Sequence, residues 1–180
     1  FLYIKALGSP WVQFNGQTLS LSHRQIEILC ILALHPYGIG LEELHSALYG
    51  ERNVSLKTLK AELSQLRSLL PHSIEARIYR LTCEVQCDFL RAEQSLNANL
   101  IASTFSLYKG SFLSKSESPL LSTWRHCFDA RLSQLIYQIK DIDQLLRIIG
   151  QTHDRIDAVQ RLLELLPQDS TQRNYFSNLI

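Results

Sequence analysis

Apolar and polar positions change rhythm twice along this chain. Over residues 1–20 they alternate. FLYIKAL is apolar and β-prone, GSP is a turn, WVQF alternates, NG signals a hairpin, and QTLSL alternates again. From Ser22 the rhythm turns helical. Ser22 caps SHRQIEILCILALHP, where Ile26, Leu29, Cys30 and Ala33 recur at helical spacing until Pro36 and Gly38 stop the helix. LEELHSALYG reads as a second, shorter helix closed by Gly50. Ser55 caps a third, whose Leu56, Leu59, Leu63, Leu66 and Leu70 form one stripe before Pro71 ends it. SIEARIYRLTCEVQCDF returns to an extended pattern and predicts a β-hairpin of two runs about Arg77 and Ile78. Three strands, three helices and a hairpin are thus complete by about Phe89.

Beyond that point glycine nearly vanishes and helical periodicity dominates. The predicted helices are Leu90 to Leu96, Ala98 to Tyr108, Leu120 to Tyr137, Asp141 to Ile149, Asp154 to Leu166 and Ser170 to Leu179. KGSFLSKSESP, from Lys109 to Pro119, is the longest loop, and its serines invite the reading of a flexible connection. Short loops between helices imply a bundle or a tetratricopeptide-like array of helical hairpins, although no clean repeat of about 34 residues is present. The expected fold class is therefore mainly α with small β elements. A winged helix with an N-terminal antiparallel sheet and a C-terminal hairpin precedes an α-helical module. The expected domains are residues 1–88 and 89–180.

Composition narrows the chemistry. A hydrophobic content of 46% with 19% charged residues is that of a chain that buries a core, unlike a disordered tail. Eighteen basic residues against seventeen acidic ones leave a formal charge of +1, so any nucleic-acid contact has to come from local placement of cations. No apolar run reaches the ~18–20 residues that span a bilayer, and no signal peptide is recognisable. The chain begins at Phe1 and contains no methionine, which leads us to expect a piece of a longer protein. Cys30, Cys83, Cys87 and Cys127 lack paired metal-ligand spacing, and three of the four sit among apolar or strand-like neighbours, which favours buried free thiols there and a reducing, cytoplasmic setting. His45, His126 and His153 fall on separate segments and suggest neither a metal centre nor catalysis. G-x-S-x-G, Walker and H-E-x-x-H motifs are absent, so neither an enzyme nor a cofactor is expected.

Three short helices followed by a hairpin is the winged helix-turn-helix order, in which the third helix enters a major groove about 12 Å wide. Lys57, Lys60, Ser64 and Arg67 fall at spacings of three and four, opposite the leucine stripe. Lysine and arginine neutralise phosphates, while Thr58, Ser64 and Gln65 offer hydrogen bonds to phosphates or base edges. Arg77 and Arg80 lie in the hairpin, against which stand only Glu62 and Glu75. His23 and Arg24, just past the first cap, sit where a helix N-terminus greets an anion, although capping and solvation account for them more simply.

The stretch LSHRQIEILCILALHPYGIGLEELHSALYG resembles the first two helices of OmpR/PhoB-type output domains. KTLKAELSQLRSLL is similar to that family's recognition helix, and IEARIYRL resembles its wing. The resemblance covers about residues 1–89 and implies duplex DNA binding through Lys57, Thr58, Arg67, Arg77 and Arg80, which match by position. Lys60, Glu62, Ser64 and Gln65 stand where the family usually has Asp, His, Arg and Arg, so its base contacts do not carry over there. SLYKGSFLSKSESPLLSTWRHCFDARLSQLI is similar to the bacterial transcriptional activator domain of SARP-type regulators, on Tyr108, Gly110, Phe112, Leu113, Trp124 and Arg125. Together these resemblances imply a bacterial, sequence-specific transcriptional regulator, the output region of a longer sensory protein. The expected partners are double-stranded DNA, RNA polymerase, and a second copy or an upstream sensory domain; no membrane partner is expected. The expected DNA-binding residues are Lys57, Thr58, Lys60, Ser64, Arg67, Arg77 and Arg80. The rival expectation is a winged-helix adaptor that keeps the scaffold and binds protein.

Overall fold

The computed structural model describes residues 1–152 and 154–180; His153, one of the three histidines considered above, lies outside them. The structure is mostly helical, at 55%, with two small sheets. Strands β1 (Leu2–Lys5), β2 (Trp11–Phe14) and β3 (Gln17–Leu19) form an antiparallel meander. Asn15 and Gly16 close its second turn at φ 48° and 81°, the two positive values that a tight hairpin demands and that Asn-Gly supplies at little cost.

Helix α1 (His23–Leu34) starts at a complete capping box: Gln25 donates its backbone N–H to Ser22 Oγ, and Ser22 donates its own to Gln25 Oε1. Strand β4 (Ile39–Gly40) leads into α2 (Leu41–Tyr49), and α3 (Leu56–Leu69) follows, capped by Ser55 as its serine predicts. Strands β5 (Ile74–Glu75) and β6 (Ile78–Leu81) make the hairpin, and β4 pairs on the far side of β6.

The second extended run continues differently from a simple hairpin. Strand β7 (Val85–Cys87) leaves for the first sheet and lies parallel to β1, pairing Leu2 with Val85 and Ile4 with Cys87. The N-terminal sheet is therefore mixed, in the order β3-β2-β1-β7, and the purely antiparallel expectation is corrected. A parallel strand needs a long crossover, here the whole three-helix unit, which local alternation cannot announce.

The helical part comprises α4 (Asp88–Asn97), α5 (Ile101–Leu107), α6 (Pro119–Gln138), α7 (Ile142–Gln151), α8 (Ile156–Leu165) and α9 (Thr171–Ser177). Helix α5 starts three residues later than the periodicity suggests, because Asn99 adopts φ 55° and breaks the run from Ala98. One continuous buried cluster runs from Leu2 and Ile4 through Leu29, Leu44 and Leu63 to Phe89, Leu132 and Leu162. At its centre Trp124 of α6 is largely buried and packs against Phe89, Phe112 and Phe128 with ring centroids 5.3, 4.6 and 4.8 Å away.

The segment 109–118 is tied down on both sides, contrary to the flexible-loop expectation. Leu7 bridges Phe112, the Gly8 N–H donates to the Ser111 carbonyl at 3.2 Å, and the Leu113 N–H donates to the Ala6 carbonyl at 3.1 Å. Gly8 (φ 84°) and Gly110 (φ 146°) press together so closely that a Cβ on Gly110 would stand 3.0 Å from the Gly8 Cα. Ser116 donates to the buried Glu27 carboxylate of α1, and Ser118 donates to the Ala47 carbonyl of α2 at 2.6 Å while capping α6. Arg125 donates to the carbonyls of Phe112, Leu113 and Ser116. Asp88 completes the junction by accepting the N–H groups of Ala6, Leu7 and Phe89; burial raises its carboxyl above the usual range and these bonds oppose the rise. Cys30 and Cys87 are buried free thiols, and burial pushes Cys87 up to about 12.

Candidate nucleic-acid interface

Helix α3 divides cleanly into two faces. At about 100° per residue, Leu59, Leu63, Leu66 and the capping Leu70 fall on one side. All four are 0–1% exposed, packed beneath α1 and α2. Lys57, Lys60 and Ser64 point away from that stripe, Arg67 and Thr58 lie on its two flanks, and every one of the five is exposed. The stripe of leucines thus fixes the orientation, and the cations follow from it.

The seven sequence-predicted residues have different surroundings. Lys57 and Lys60 project from the first turns of α3 and take part in no ion pair among the described residues. The Thr58 hydroxyl lies 3.0 Å from Ser55 Oγ, so it is shared with the helix cap. Ser64 accepts at its backbone from Ser68 and leaves its hydroxyl on the exposed face. Arg67 sits in the last turn of α3, where its charge faces the unpaired helix carbonyls favourably. Arg77 stands exposed at the hairpin tip at φ 82°, a left-handed conformation usually left to glycine. Arg80 differs from the rest: its guanidinium pairs with Glu75 at 2.7 Å across the hairpin, as the register Glu75 to Arg80 dictates.

Between the end of α3 and β5 lies a shallow cleft of about 460 Å³, lined by Ser64, Arg67, Ser68 and His72. It joins the helix face to the hairpin as one surface. Sequence reasoning passed over His72; its position directly after the helix-ending Pro71 was the available signal.

Glu62 is only partly exposed, unlike the cations beside it. It lies on the flank of α3 toward α2, and its Oε2 is buried without a hydrogen-bond partner. Burial raises the Tyr49 phenol above its usual range, Arg24 opposes the rise, and the Glu62 and Glu27 carboxylates add to it. Arg24 itself is committed, 3.1 Å from Glu27 and over the Tyr49 ring at 4.7 Å. Gln65 accepts from Gln25 of α1 at 3.1 Å and so braces the helix pair.

Among the described residues no group of His, Cys, Asp and Glu is arranged to hold a metal, and no helix is long and apolar enough to cross a membrane.

A three-helix unit flanked by a mixed sheet and a β-hairpin, and continuous with a helical array, defines a mostly helical scaffold that presents one cationic helix face beside a hairpin tip. No protein-family model matches the chain. It is 29% identical over 153 residues to an uncharacterized 47.3 kDa protein in the thcA 5' region of Rhodococcus erythropolis, a match covering 84% of this chain and 35% of that protein. The chain thus spans about a third of the length of that curated relative. Among solved structures it shares its fold with Mycobacterium tuberculosis EmbR, determined in complex with a low-affinity phosphopeptide. The TM-score is 0.57 at 16% identity, over 99% of this chain and 55% of that one.

Proposed function

We propose that this chain is the DNA-binding output region of a bacterial transcriptional regulator, with residues 1–88 forming a winged helix-turn-helix and residues 89–180 a helical module for protein contacts. The observation that carries the proposal is the outward face of α3, where Lys57, Lys60 and Arg67 are exposed and free of carboxylate partners among the described residues. A helix of this size with its cations on one side fits a major groove, and Arg77 at the hairpin tip reaches toward the neighbouring backbone. The likeness to EmbR, a SARP-family transcriptional regulator, supports the same class. Phosphate contacts would supply most of the affinity; Thr58 and Ser64 would add hydrogen bonds. The role is one of binding, with no catalysis, and the setting is the cytoplasm. A second copy or an upstream sensory domain would complete the assembly, and RNA polymerase is the proposed downstream partner.

A specific observation favours the adaptor alternative. Leu56, Leu69 and Ile78 are 38, 41 and 57% exposed around the same helix and hairpin, so the surface also offers apolar area to a protein. Selection of bound sequences from a random duplex pool by the 180-residue chain separates the two readings. An enriched motif is expected; a folded chain that enriches none overturns DNA recognition in favour of the adaptor.

A further inference from the structure

A second cleft, larger than that beside α3, opens at the junction where the sheet, α1 and the segment after α5 meet. Its volume is about 740 Å³, within the ~300–1,000 Å³ typical of small-ligand sites, and such sites favour junctions between structural units. Four separate stretches of chain build its walls: the turn Gly8 to Pro10, His23 at the start of α1, residues of the segment Lys109 to Lys115, and Asp154 before α8.

The walls are held rigidly. Gly8 and Gly110 abut with positive φ, and the Gly8 N–H bond to Ser111 locks one turn onto the other. Lys5 donates from Nζ to the carbonyls of Leu7 and Ser9 at 2.7 and 3.1 Å, setting a further cation behind the turn. Leu113 is buried beneath the floor. Lys109 and Lys115 are exposed at the mouth and enter no ion pair among the described residues.

The lining is rich in donors. Lys109, Lys115, His23, Ser9, Ser111 and Ser114 all belong to the lining, and Asp154 is the single carboxylate among its described residues. Glu27, the nearest partner for His23 at 3.9 Å, already takes Arg24 and Ser116. Side-chain-free glycine backbone, lysine point charges and hydroxyls together suit a tetrahedral anion that accepts several hydrogen bonds at once.

We propose that this cleft binds a small phosphorylated molecule, with Lys109 and Lys115 neutralising the phosphate and His23 and the serine hydroxyls completing its shell. A ligand there touches the start of α1 and the turn between β1 and β2 on one side and the 109–115 segment on the other, so it bridges the two halves of the chain. The chemistry is shared by a free organic phosphate and a DNA backbone phosphate. The recessed shape favours the free ligand, because a duplex presents its phosphates on a convex surface.

The test is a titration of the isotope-labelled 180-residue chain with pyrophosphate at fixed ionic strength, followed by amide chemical shifts. Saturable shifts are expected at Gly8, Ser9, Gly110 and Ser111, and Lys109→Gln with Lys115→Gln should weaken binding at least tenfold while leaving the rest of the spectrum in place. Should the double variant disturb the fold, single Lys109→Gln and Lys115→Gln chains give the same comparison. No saturable shift, or binding indifferent to both lysines, overturns the site. So does a result in which the two lysines alter only duplex binding, which would assign them to a DNA backbone.

Discussion

Replacing Lys57 and Lys60 together with alanine tests the α3 surface most directly. The two side chains are exposed on the first turns, and alanine is the better helix former, so the fold should survive the change. Four cations of the surface, Lys57, Lys60, Arg67 and Arg77, lack a carboxylate partner among the described residues, whereas Arg80 is held by Glu75. Each phosphate contact contributes about 0.9 to the slope of log affinity against log salt, so four contacts give about −3.6 and the double variant about −1.8. Between ~50 and ~200 mM salt the parent chain should therefore lose roughly 150-fold in affinity and the variant roughly 12-fold. Fluorescence anisotropy on a labelled duplex measures both slopes.

A paired control sharpens the test. Glu75→Ala with Arg80→Ala removes an internally compensated pair and should leave the slope nearly unchanged. If Lys57→Ala with Lys60→Ala leaves slope and affinity as they were, in a chain with unchanged circular dichroism, α3 does not face DNA. The control keeps the net charge while Lys57→Ala with Lys60→Ala lowers it by two, so an equal loss in both would show that lost cations on α3 are not the cause.

Two further outcomes concern the junction. Gly110→Ala forces a side chain into φ 146° and to within 3.0 Å of the Gly8 Cα, which should cost about 1–3 kcal/mol and lower Tm by several degrees; an unchanged melting curve would contradict the close approach. Residues 1–88 alone lose the Ser116 bond to Glu27, the backbone bonds from residues 111–113 to 6–8, and the cover of α6 over α1 and α2, so the fragment should melt without a cooperative transition and bind a hydrophobic dye. A sharp transition close to that of residues 1–180 would show that the helical part is dispensable for folding.

What the sequence disclosed was local. Ser22 and Ser55 are capping residues whose partners lie three positions on, and the leucines of α3 reveal its buried side by spacing alone. What it concealed depends on distant partners. Strand β7 is only three residues long and finds β1 more than eighty positions earlier. Strand β4 has two residues, too few for alternation to register. Ser116 looks like any loop serine until Glu27 is brought beside it, and Glu62 looks like an exposed neighbour of Lys60 until α2 packs on its flank. The candidate surface was legible as a set of cations on one face. Which of them are free was not, because the pairing of Arg80 with Glu75 follows from hairpin register.

The sparse charge of α3 and the firm junction belong together. Three free cations on a helix and one at a hairpin tip can supply only the weak affinity of non-specific contact, ~10⁻⁴–10⁻⁶ M at physiological salt. A chain with a formal charge of +1 has no general positive field to add to it. Under the proposed DNA-binding role, useful occupancy would require two such surfaces held at a fixed separation, where the second contact gains a factor of ~10²–10⁴ from effective concentration. That gain disappears if the connection between surface and dimer contact is slack or the wrong length. Here the buried Glu27 and Ser116 bond, the Gly8 and Gly110 contact and the Arg125 anchors make the three-helix unit and the helical array share one core. An assembly formed through the helices would therefore set the spacing and angle of both α3 faces. Under the proposed DNA-binding role, specificity would then reside in the geometry of two weak readers, and the individual reader would need few base-reading side chains.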